Sequence, residues 1–246
     1  MRTDKFERKV AIVTGAAQGI GKAISVLFVS QAIEVVLCDI NFEAVQATAE
    51  LFGSTGFQVD VTDSMAVKEL VTQTMDKYKR IDILVNNAGI LFPSRFENIS
   101  KEEWDKVLDV NVNGVFNFTK AVIGIMKSQQ FGRIVNISSS AGRSVSTLGG
   151  AHYTTSKAAV LGLTRAVAKE MAPHGITVNA VCPGLIDTEM VRMDCKPEAI
   201  GKYESIIPIP RLGTPEEVAK LVSFLIFNAD YITGASIDIN GGDLMI

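Results

Sequence analysis

Tyr153 and Lys157 lie four residues apart in the run His152-Tyr-Thr-Thr-Ser-Lys157. On a helix this spacing puts both side chains on one face. An ammonium beside a phenol stabilises the phenolate and lowers the phenol pKa from about 10 toward neutral pH, so Tyr153 could exchange a proton with a substrate oxygen. Because such a pair also occurs by chance on solvated helices, its meaning depends on the segments around it.

Three serines, Ser138 to Ser140, precede this pair and follow the apolar run that ends at Ile137. They place a cluster of hydroxyl groups at the carboxyl end of a predicted strand. In open α/β sheets the ligand lies outside these strand ends. The serines and the Tyr153–Lys157 pair are therefore expected at the same edge of the sheet.

A glycine-rich turn, Thr14-Gly15-x-x-x-Gly19-x-Gly21, joins a short β-branched run to a second apolar stretch. Gly15 lets the chain reverse, Gly19 removes a Cβ from the path of a pyrophosphate, and Gly21 lets the helix approach its strand. The free N–H groups at the helix start would face the anion. Turns of this kind also occur in proteins that bind nothing, so a second feature has to support the interpretation.

That second feature is Asp39, which ends the next predicted strand 18 residues after Gly21. A carboxylate at a spacing of about 20 accepts hydrogen bonds from the adenosine ribose. It would repel a 2′-phosphate, and no lysine or arginine occurs at 16–18 or 40–41 to bind one. The sequence therefore predicts NAD rather than NADP as the cofactor.

Strand and helix signals alternate along the chain, which predicts a mostly parallel sheet with helices on both faces, in one domain over residues 1–246. The predicted strands are 9–14, 34–39, 56–60, 81–86, 132–138, 176–181 and 235–239. The predicted helices are 20–32, 42–52, 64–78, 101–127, 152–172 and 215–227. A capping box is predicted at Ser100-x-x-Glu103, and Thr214-Pro215-Glu-Glu217 predicts an N-cap, a proline at N1 and an acidic first turn.

Other polar residues fall near the same sheet edge. Asp60-Val61 follows the third strand and could meet the adenine, although aspartate is common at strand ends. The turn 86–89, Asn-Asn-Ala-Gly, could satisfy loop backbone groups beside a cofactor or simply stabilise itself. Asn111 lies inside a helical pattern, so it is either a satisfied core amide or a functional one.

Composition excludes several classes of function. The net charge is −3 with no basic block, which argues against nucleic acid and anionic membranes as partners. No apolar run approaches the roughly 18 residues of a membrane span, and the N-terminus lacks an apolar signal core, so a cytoplasmic protein is expected. Cys38, Cys182 and Cys195 are scattered, and the chain has only two histidines, so no metal site is predicted.

Taken together, these motifs resemble the short-chain dehydrogenase/reductase family over nearly the whole chain. The matching residues are Thr14-Gly-x-x-x-Gly-x-Gly21, Asp39, Asn86-Asn-Ala-Gly89, Asn111, Ser139, Tyr153-x-x-x-Lys157 and Pro183-Gly184. The resemblance implies an α/β Rossmann fold with a doubly wound, seven-stranded parallel sheet.

The resemblance also implies a role for each site residue. Tyr153 would be the general acid/base, Ser139 would hold the substrate oxygen, Lys157 would bind the nicotinamide ribose and tune Tyr153, and Asn111 would support a proton path. The family spacing selects Ser140, whereas Ile-x-Ser-x-x-Gly selects Ser139, which we prefer. The implied cofactor-binding residues are Gly15, Gln18, Gly19, Ile20, Gly21, Asp39, Ile40, Asp60, Val61, Asn87, Ala88, Gly89, Tyr153, Lys157, Pro183, Gly184, Ile186 and Thr188.

The substrate is less constrained. Segments 210–218 and 231–242 resemble the 3-oxoacyl-carrier-protein reductase branch, but polyol and alcohol dehydrogenases share them. Gln129, Gln130 and His174 stand where carrier-protein reductases present basic residues, so docking of an acidic carrier protein would lose its electrostatic partner. The main prediction is thus an NAD-dependent enzyme that interconverts a small-molecule secondary alcohol and a ketone.

Two alternatives remain open: a 3-oxoacyl thioester reductase and a non-catalytic dinucleotide sensor. Sensors usually lose the tyrosine or the lysine, and both are present here. The segment 187–210 is the expected substrate lid, and the resemblance implies a homotetramer. The candidate substrate contacts are Arg95, Ser139, Arg143, Ser146 and Met190.

Overall fold

The computed structural model describes residues 8–194 and 197–246. Over these residues seven strands form one parallel sheet in the order β3-β2-β1-β4-β5-β6-β7. The strands are β1 (Val10–Thr14), β2 (Glu34–Asp39), β3 (Thr55–Gln58), β4 (Ile83–Asn86), β5 (Gly132–Ile137), β6 (Ile176–Pro183) and β7 (Ser236–Ile239). The strand order reverses between β1 and β4, and a crevice opens at such a point outside the carboxyl ends of the strands. The predicted sheet is confirmed.

Helices cover both faces of this sheet. They are α1 (Gly19–Ser30), α2 (Phe42–Glu50), α3 (Ser64–Tyr78), α4 (Lys101–Leu108), α5 (Gly114–Gln129), α6 (Ala151–Met171), α7 (Glu189–Asp194), α8 (Pro197–Glu204) and α9 (Pro215–Phe227). In β1, Val13 packs into a core with Phe28 of α1 and Leu225 of α9. The neighbouring Ile12 packs on the opposite face with Phe118 of α5. Burial on both faces explains why the strands are continuous apolar runs rather than alternating ones.

The single helix predicted over 101–127 is wrong in one respect. A π-helical turn, Asp109–Asn113, separates α4 from α5. Such wide turns occur often at functional sites. Here the turn carries Asn111, whose amide bonds both backbone groups of Ile90. These bonds connect the π-helical turn to the loop after β4.

The predicted N-cap at Thr214 and the predicted capping box at Ser100 have different outcomes. Thr214 and Glu217 form a complete box at the start of α9. At α4 the Ser100 hydroxyl accepts from the Glu103 N–H, but the Glu103 carboxylate reaches His152 of α6 instead of returning to Ser100. Glu103 therefore joins two helices rather than closing its own cap.

The segment predicted as a lid contains two short helices, α7 and α8, which the sequence patterns did not predict. Cys195 and Lys196 lie outside the described residues. Within the described ranges, no helix has the length and apolar character needed to cross a membrane.

Candidate active site

A cavity of about 860 Å³ opens along the carboxyl ends of the strands. It brings together almost all of the residues predicted to bind a cofactor or to act in catalysis. Those that line it are Gly15, Gln18, Gly19, Ile20, Asp39, Ile40, Asp60, Val61, Asn87, Ala88, Gly89, Ser139, Tyr153, Lys157, Pro183, Gly184, Ile186 and Thr188. Gly21 and Asn111 lie behind this lining, where they support it.

The glycine turn is shaped by both backbone angle and space. Gly15 and Gly19 have φ values of +62° and +54°, which side chains disfavour. A Cβ on Gly21 would lie 2.2 Å from the Gly15 carbonyl oxygen. The sequence predicted that Gly21 allows close packing of the helix on its strand. Gly15 directly follows β1, so the missing side chain lets the start of α1 approach the end of that strand.

Thr14 is a site residue that the sequence interpretation used only as part of a motif. Its buried hydroxyl accepts the N–H groups of Asn87 and Ala88, at 2.9 and 3.0 Å. In return, the Asn87 amide donates to the carbonyl oxygens of Thr14 and Gly15. These bonds fasten the end of β1 to the end of β4. The floor of the crevice is therefore fixed where the strand order reverses.

Asp39 lies at the carboxyl end of β2 with its carboxylate already oriented. One oxygen accepts the Ala17 N–H at 3.1 Å, and the other accepts the Asn41 N–H at 3.0 Å. Each carboxylate oxygen has further acceptor capacity beyond this one bond. The group can therefore accept hydroxyl donors from the cavity without rearranging.

The pair Tyr153 and Lys157 lies on one face of α6, as the spacing predicts. Burial raises the pKa of the Tyr153 phenol because it disfavours the phenolate, and the nearby Ser139 hydroxyl acts in the opposite direction. The Lys157 Nζ lies 5.6 Å from the Tyr153 ring centroid and donates to the Ile137 carbonyl oxygen at 2.9 Å. The prediction that the lysine lowers the phenol pKa is therefore not met in this structure, where burial raises that pKa.

Burial also acts on the lysine itself. It lowers the pKa of Lys157 to about 8, because the buried charged form is poorly solvated. A Cβ on Gly89 would lie 3.4 Å from its Nζ, so the loop after β4 approaches the ammonium closely.

The three serines after β5 do different things. Ser138 donates to the Lys157 carbonyl oxygen at 2.9 Å, and Ser140 begins a short 3₁₀ turn, Ser140–Gly142. Ser139 caps that turn by accepting the Ala141 N–H at 3.1 Å, and its hydroxyl lies close enough to the Tyr153 phenol to lower its pKa. The geometry therefore favours Ser139 over Ser140 as the partner of the tyrosine.

Asn111 is a buried amide whose donors are both used. Its Nδ2 donates to the Ile90 carbonyl oxygen at 2.9 Å and to the Ser156 hydroxyl at 3.0 Å, while its Oδ1 accepts the Ile90 N–H at 2.8 Å. The side chain thus ties the π-helical turn to the loop after β4 and to α6. The sequence left two roles open for Asn111, and these bonds fit the role of a satisfied core amide.

The predicted substrate contacts divide into two groups. Ser146 and Met190 line the cavity. Arg143 instead donates to the Ser236 carbonyl oxygen at 2.8 Å and to Asp238 at 2.9 Å, on strand β7. Arg95 is exposed and, among the described residues, neither arginine belongs to the cavity lining. The two arginines were predicted to contact the substrate, but neither side chain reaches the cavity.

Tyr203 of α8 is a cavity residue that no motif indicated. It is buried, its hydroxyl accepts the Leu185 N–H at 3.4 Å, and it is hydrogen-bonded to Asp243 near the C-terminus. Burial raises its pKa to about 12. This contact joins the lid helix to the strand end at Pro183-Gly184. Only the position of Tyr203 inside the predicted lid could have drawn attention to it.

The family described as enoyl-(acyl carrier protein) reductase matches residues 15–243. The chain belongs to the short-chain dehydrogenase/reductase family. It is therefore an oxidoreductase that uses a nicotinamide dinucleotide. Among the described residues, no group of three His, Cys, Asp or Glu side chains could hold a metal ion.

Two curated relatives and one solved structure illustrate the similarity. The 3-oxoacyl-[acyl-carrier-protein] reductase FabG of Thermotoga maritima is 42% identical over 245 residues, covering 97% of this chain and 98% of that protein. The acetoacetyl-CoA reductase of Shinella zoogloeoides is 40% identical over 242 residues, covering 97% and 99%. The 3-oxoacyl-[acyl-carrier protein] reductase of Brucella melitensis superimposes with a TM-score of 0.89 at 36% identity, covering 98% and 92%.

Proposed function

We propose that this enzyme reduces the 3-oxo group of an acyl thioester to a 3-hydroxy group. The observation that carries the proposal is the Tyr153–Ser139 pair in the cavity, in a chain whose relatives are named 3-oxoacyl-carrier-protein and acetoacetyl-CoA reductases. These names favour the thioester alternative over the more general prediction of a small alcohol or ketone.

In this proposal Ser139 donates a hydrogen bond to the substrate carbonyl oxygen, and Tyr153 transfers a proton to it. The nicotinamide, when bound, supplies the hydride. Lys157 binds the nicotinamide ribose hydroxyls with its Nζ. Asn111 keeps the Ile90 backbone in place beneath the cavity.

The residues in the cavity suit a dinucleotide along its whole length. The turn from Gly15 to Gly21 faces the pyrophosphate with free N–H groups, and Asp60 and Val61 meet the adenine. On the opposite wall, Pro183, Gly184, Ile186 and Thr188 hold the nicotinamide end.

We further propose NAD rather than NADP as the cofactor. The Asp39 carboxylate is oriented by Ala17 and Asn41 to accept both ribose hydroxyls, and it repels a 2′-phosphate. Among the described residues, the only cations that line the cavity are Lys106 and Lys157. Lys157 is assigned to the other ribose, so a 2′-phosphate beside Asp39 lacks an adjacent basic partner.

A second candidate is oxidation of a secondary alcohol that no carrier protein delivers. The Gln129 amide bonds the N–H and carbonyl oxygen of Ile81, and the neighbouring Gln130 is exposed and uncharged. A Cβ on Gly175 would lie 2.5 Å from the Gln130 carbonyl oxygen, so His174 adjoins these glutamines. Neither glutamine carries a positive charge to attract an acidic carrier protein.

The chain acts as one domain with residues 187–210 as its lid, and we propose that it forms a homotetramer. Exposed apolar side chains occur on α5 and near the C-terminus, at Phe116, Tyr231, Met245 and Ile246. Light scattering after size-exclusion chromatography tests the tetramer. A monomer at micromolar concentration would contradict it.

A substrate panel tests the proposed reaction. NADH oxidation is followed with acetoacetyl-CoA, with a 3-oxoacyl carrier protein and with simple ketones, and NADH formation with secondary alcohols. We expect thioesters to give the highest kcat/KM and Tyr153→Phe to lose turnover by about 10²- to 10⁴-fold. Turnover confined to free alcohols would select the second candidate. Absence of turnover by either protein would indicate a dinucleotide sensor.

A further inference from the structure

His152, which directly precedes Tyr153, is completely buried, and both of its ring nitrogens are occupied. Its Nδ1 accepts the backbone N–H of Tyr153 at 2.8 Å, and its Nε2 lies 2.7 Å from the Glu103 Oε1. An N–H donor requires a lone pair on Nδ1, so the proton of the neutral ring resides on Nε2. The ring therefore donates to Glu103 and accepts from Tyr153.

These bonds complete a helix start that its own cap leaves open. Gly150 occupies the cap position of α6 and has no side chain to accept the first N–H groups. Its carbonyl oxygen accepts the Tyr153 N–H at 3.1 Å, and the His152 ring provides the second, shorter bond. A residue inside the first turn thus performs the function that an N-cap side chain usually has.

Glu103 connects this helix start to the rest of the site. Its carboxylate is bonded to His152, and the nearby Ser94 together with His152 holds the pKa of Glu103 below the usual range. Ser94 belongs to the loop after β4, and in that loop the Phe92 carbonyl oxygen accepts the Gly150 N–H at 2.9 Å. Helix α4, the loop and the start of α6 are therefore joined at one carboxylate.

Space around the phenol is too small for the helix start to shift without moving the ring. A Cβ on Gly149 would lie 2.4 Å from the Leu91 Cδ1 and 2.8 Å from the Tyr153 Cδ1. The backbone before Tyr153 is thus pressed between the loop and the ring. A displacement of one bond length here changes where the Tyr153 oxygen points.

We propose that Glu103 and His152 are positioning residues that fix the Tyr153 hydroxyl against Ser139. The inference rests on the proposed role of Tyr153 as the proton donor. Neither residue touches the reacting atoms: Glu103 acts on the His152 ring, and the ring acts on the Tyr153 backbone. Misplacement of a reacting group by about 1 Å can cost on the order of 10²-fold in rate.

The test separates the two bonds of the imidazole. His152→Ala removes both bonds, whereas His152→Asn retains an acceptor at the Nδ1 position for the Tyr153 N–H. Glu103→Ala leaves the Nε2 proton buried without a partner, whereas Glu103→Gln keeps an acceptor oxygen. The matched control is Gln31→Ala, which removes a partly buried side-chain pair with Ser223 that joins α1 to α9.

For the two alanine variants we expect kcat to fall about 10- to 100-fold while the KM for NADH stays within about twofold of wild type. The conservative variants should recover most of this kcat, and Gln31→Ala should keep it. All rates are normalised to the folded fraction measured by circular dichroism. If an alanine variant does not fold, the comparison of His152→Asn and Glu103→Gln with wild type gives the readout, and each should show a smaller kcat loss at unchanged KM.

Two results would overturn the inference. One is a kcat of the folded alanine variants within about twofold of the Gln31→Ala value, which is less than the loss expected for a misplaced reacting group. The other is a parallel change of kcat and the KM for NADH, which would indicate general distortion of the cavity. If Tyr153→Phe itself retains turnover, the proposed function fails instead, and the two failures are therefore distinguishable.

Discussion

The Tyr153 phenol lies beside the Ser139 hydroxyl, whereas the Lys157 ammonium donates to the Ile137 carbonyl oxygen 2.9 Å away. Burial raises the pKa of the phenol, so Tyr153 is protonated at neutral pH in this structure. A protonated phenol suits a group that gives a proton to a carbonyl oxygen. This arrangement is consistent with the reductive direction of the proposed reaction.

The buried Lys157 should make the free energy of unfolding depend on pH, and this dependence can be measured without cofactor. Its pKa is about 8 when folded against 10.5 ordinarily. Between these two values the folded state binds fewer protons than the unfolded state. Below pH 8 the buried charge of Lys157 lowers the free energy of unfolding by its full amount. This cost disappears as the pH rises toward 10.5. We expect the stability of Lys157→Met relative to wild type to decrease by about 3 kcal/mol across that window. Urea unfolding at several pH values measures this, and a constant difference would contradict the buried, destabilised ammonium.

Asp39 should control the choice between the two dinucleotides. Replacing it with serine removes an oriented charged acceptor, and hydrogen bonds to charged groups contribute about 1.5 to 3 kcal/mol. We expect Asp39→Ser to raise the KM for NADH about tenfold or more and to lower the KM for NADPH. Initial-rate kinetics with both cofactors measure the change. If the variant kept the same preference between NADH and NADPH, Asp39 would not be a residue of the adenosine site.

Gly15 belongs to the glycine turn, and Gly53, which lies outside it, is a matched control position. Their φ values are +62° and +64°, but a Cβ on Gly15 would lie 2.8 Å from the Ala88 Cα, while a Cβ on Gly53 meets nothing within 4 Å. Gly53→Ala should cost about 1 to 2 kcal/mol, the cost of the backbone angle. Gly15→Ala should cost clearly more and weaken NADH binding as well. Equal losses of stability in thermal unfolding would mean that the turn has room for a side chain.

The hydroxyl of Thr14, rather than the shape of its side chain, should determine its effect on stability and NADH binding. Thr14→Val leaves the N–H groups of Asn87 and Ala88 without their acceptor, and an unsatisfied buried donor costs about 1 to 3 kcal/mol. We expect a loss of that order for each group in urea unfolding, together with weaker NADH binding. Thr14→Ser retains the hydroxyl and is the control. A valine variant as stable as the serine variant would contradict the role of these bonds.

Much of the fold was predictable because the periodic signal is strong. Strands buried on both faces appear as continuous apolar runs, and the positions of β1, β2 and β5 follow from them. The widened turn at Asp109–Asn113 was not predictable, because it depends on a bond between Asn111 and the distant Ile90. The helices α7 and α8 carry weak local patterns, and contacts such as Tyr203 with Leu185 locate them.

The site was predictable where a residue type has a task that few others can perform. Tyr153, Gly19 and Asp39 are of this kind, and the structure brings them to one cavity. Arg143 was misplaced because a sequence does not reveal that Asp238 and the Ser236 carbonyl oxygen offer it nearer partners.

The wall of the cavity begins at Gly15 and ends at Asp243, almost the full length of the polypeptide. The residues assigned to the dinucleotide extend from Gly15 to Thr188, so its binding energy is unavailable until that stretch has been synthesised and folded. Early folding must rely on the apolar layers between strands and helices alone. The ligand can stabilise only the folded site, and it should raise the free energy of unfolding with the logarithm of its free concentration above Kd.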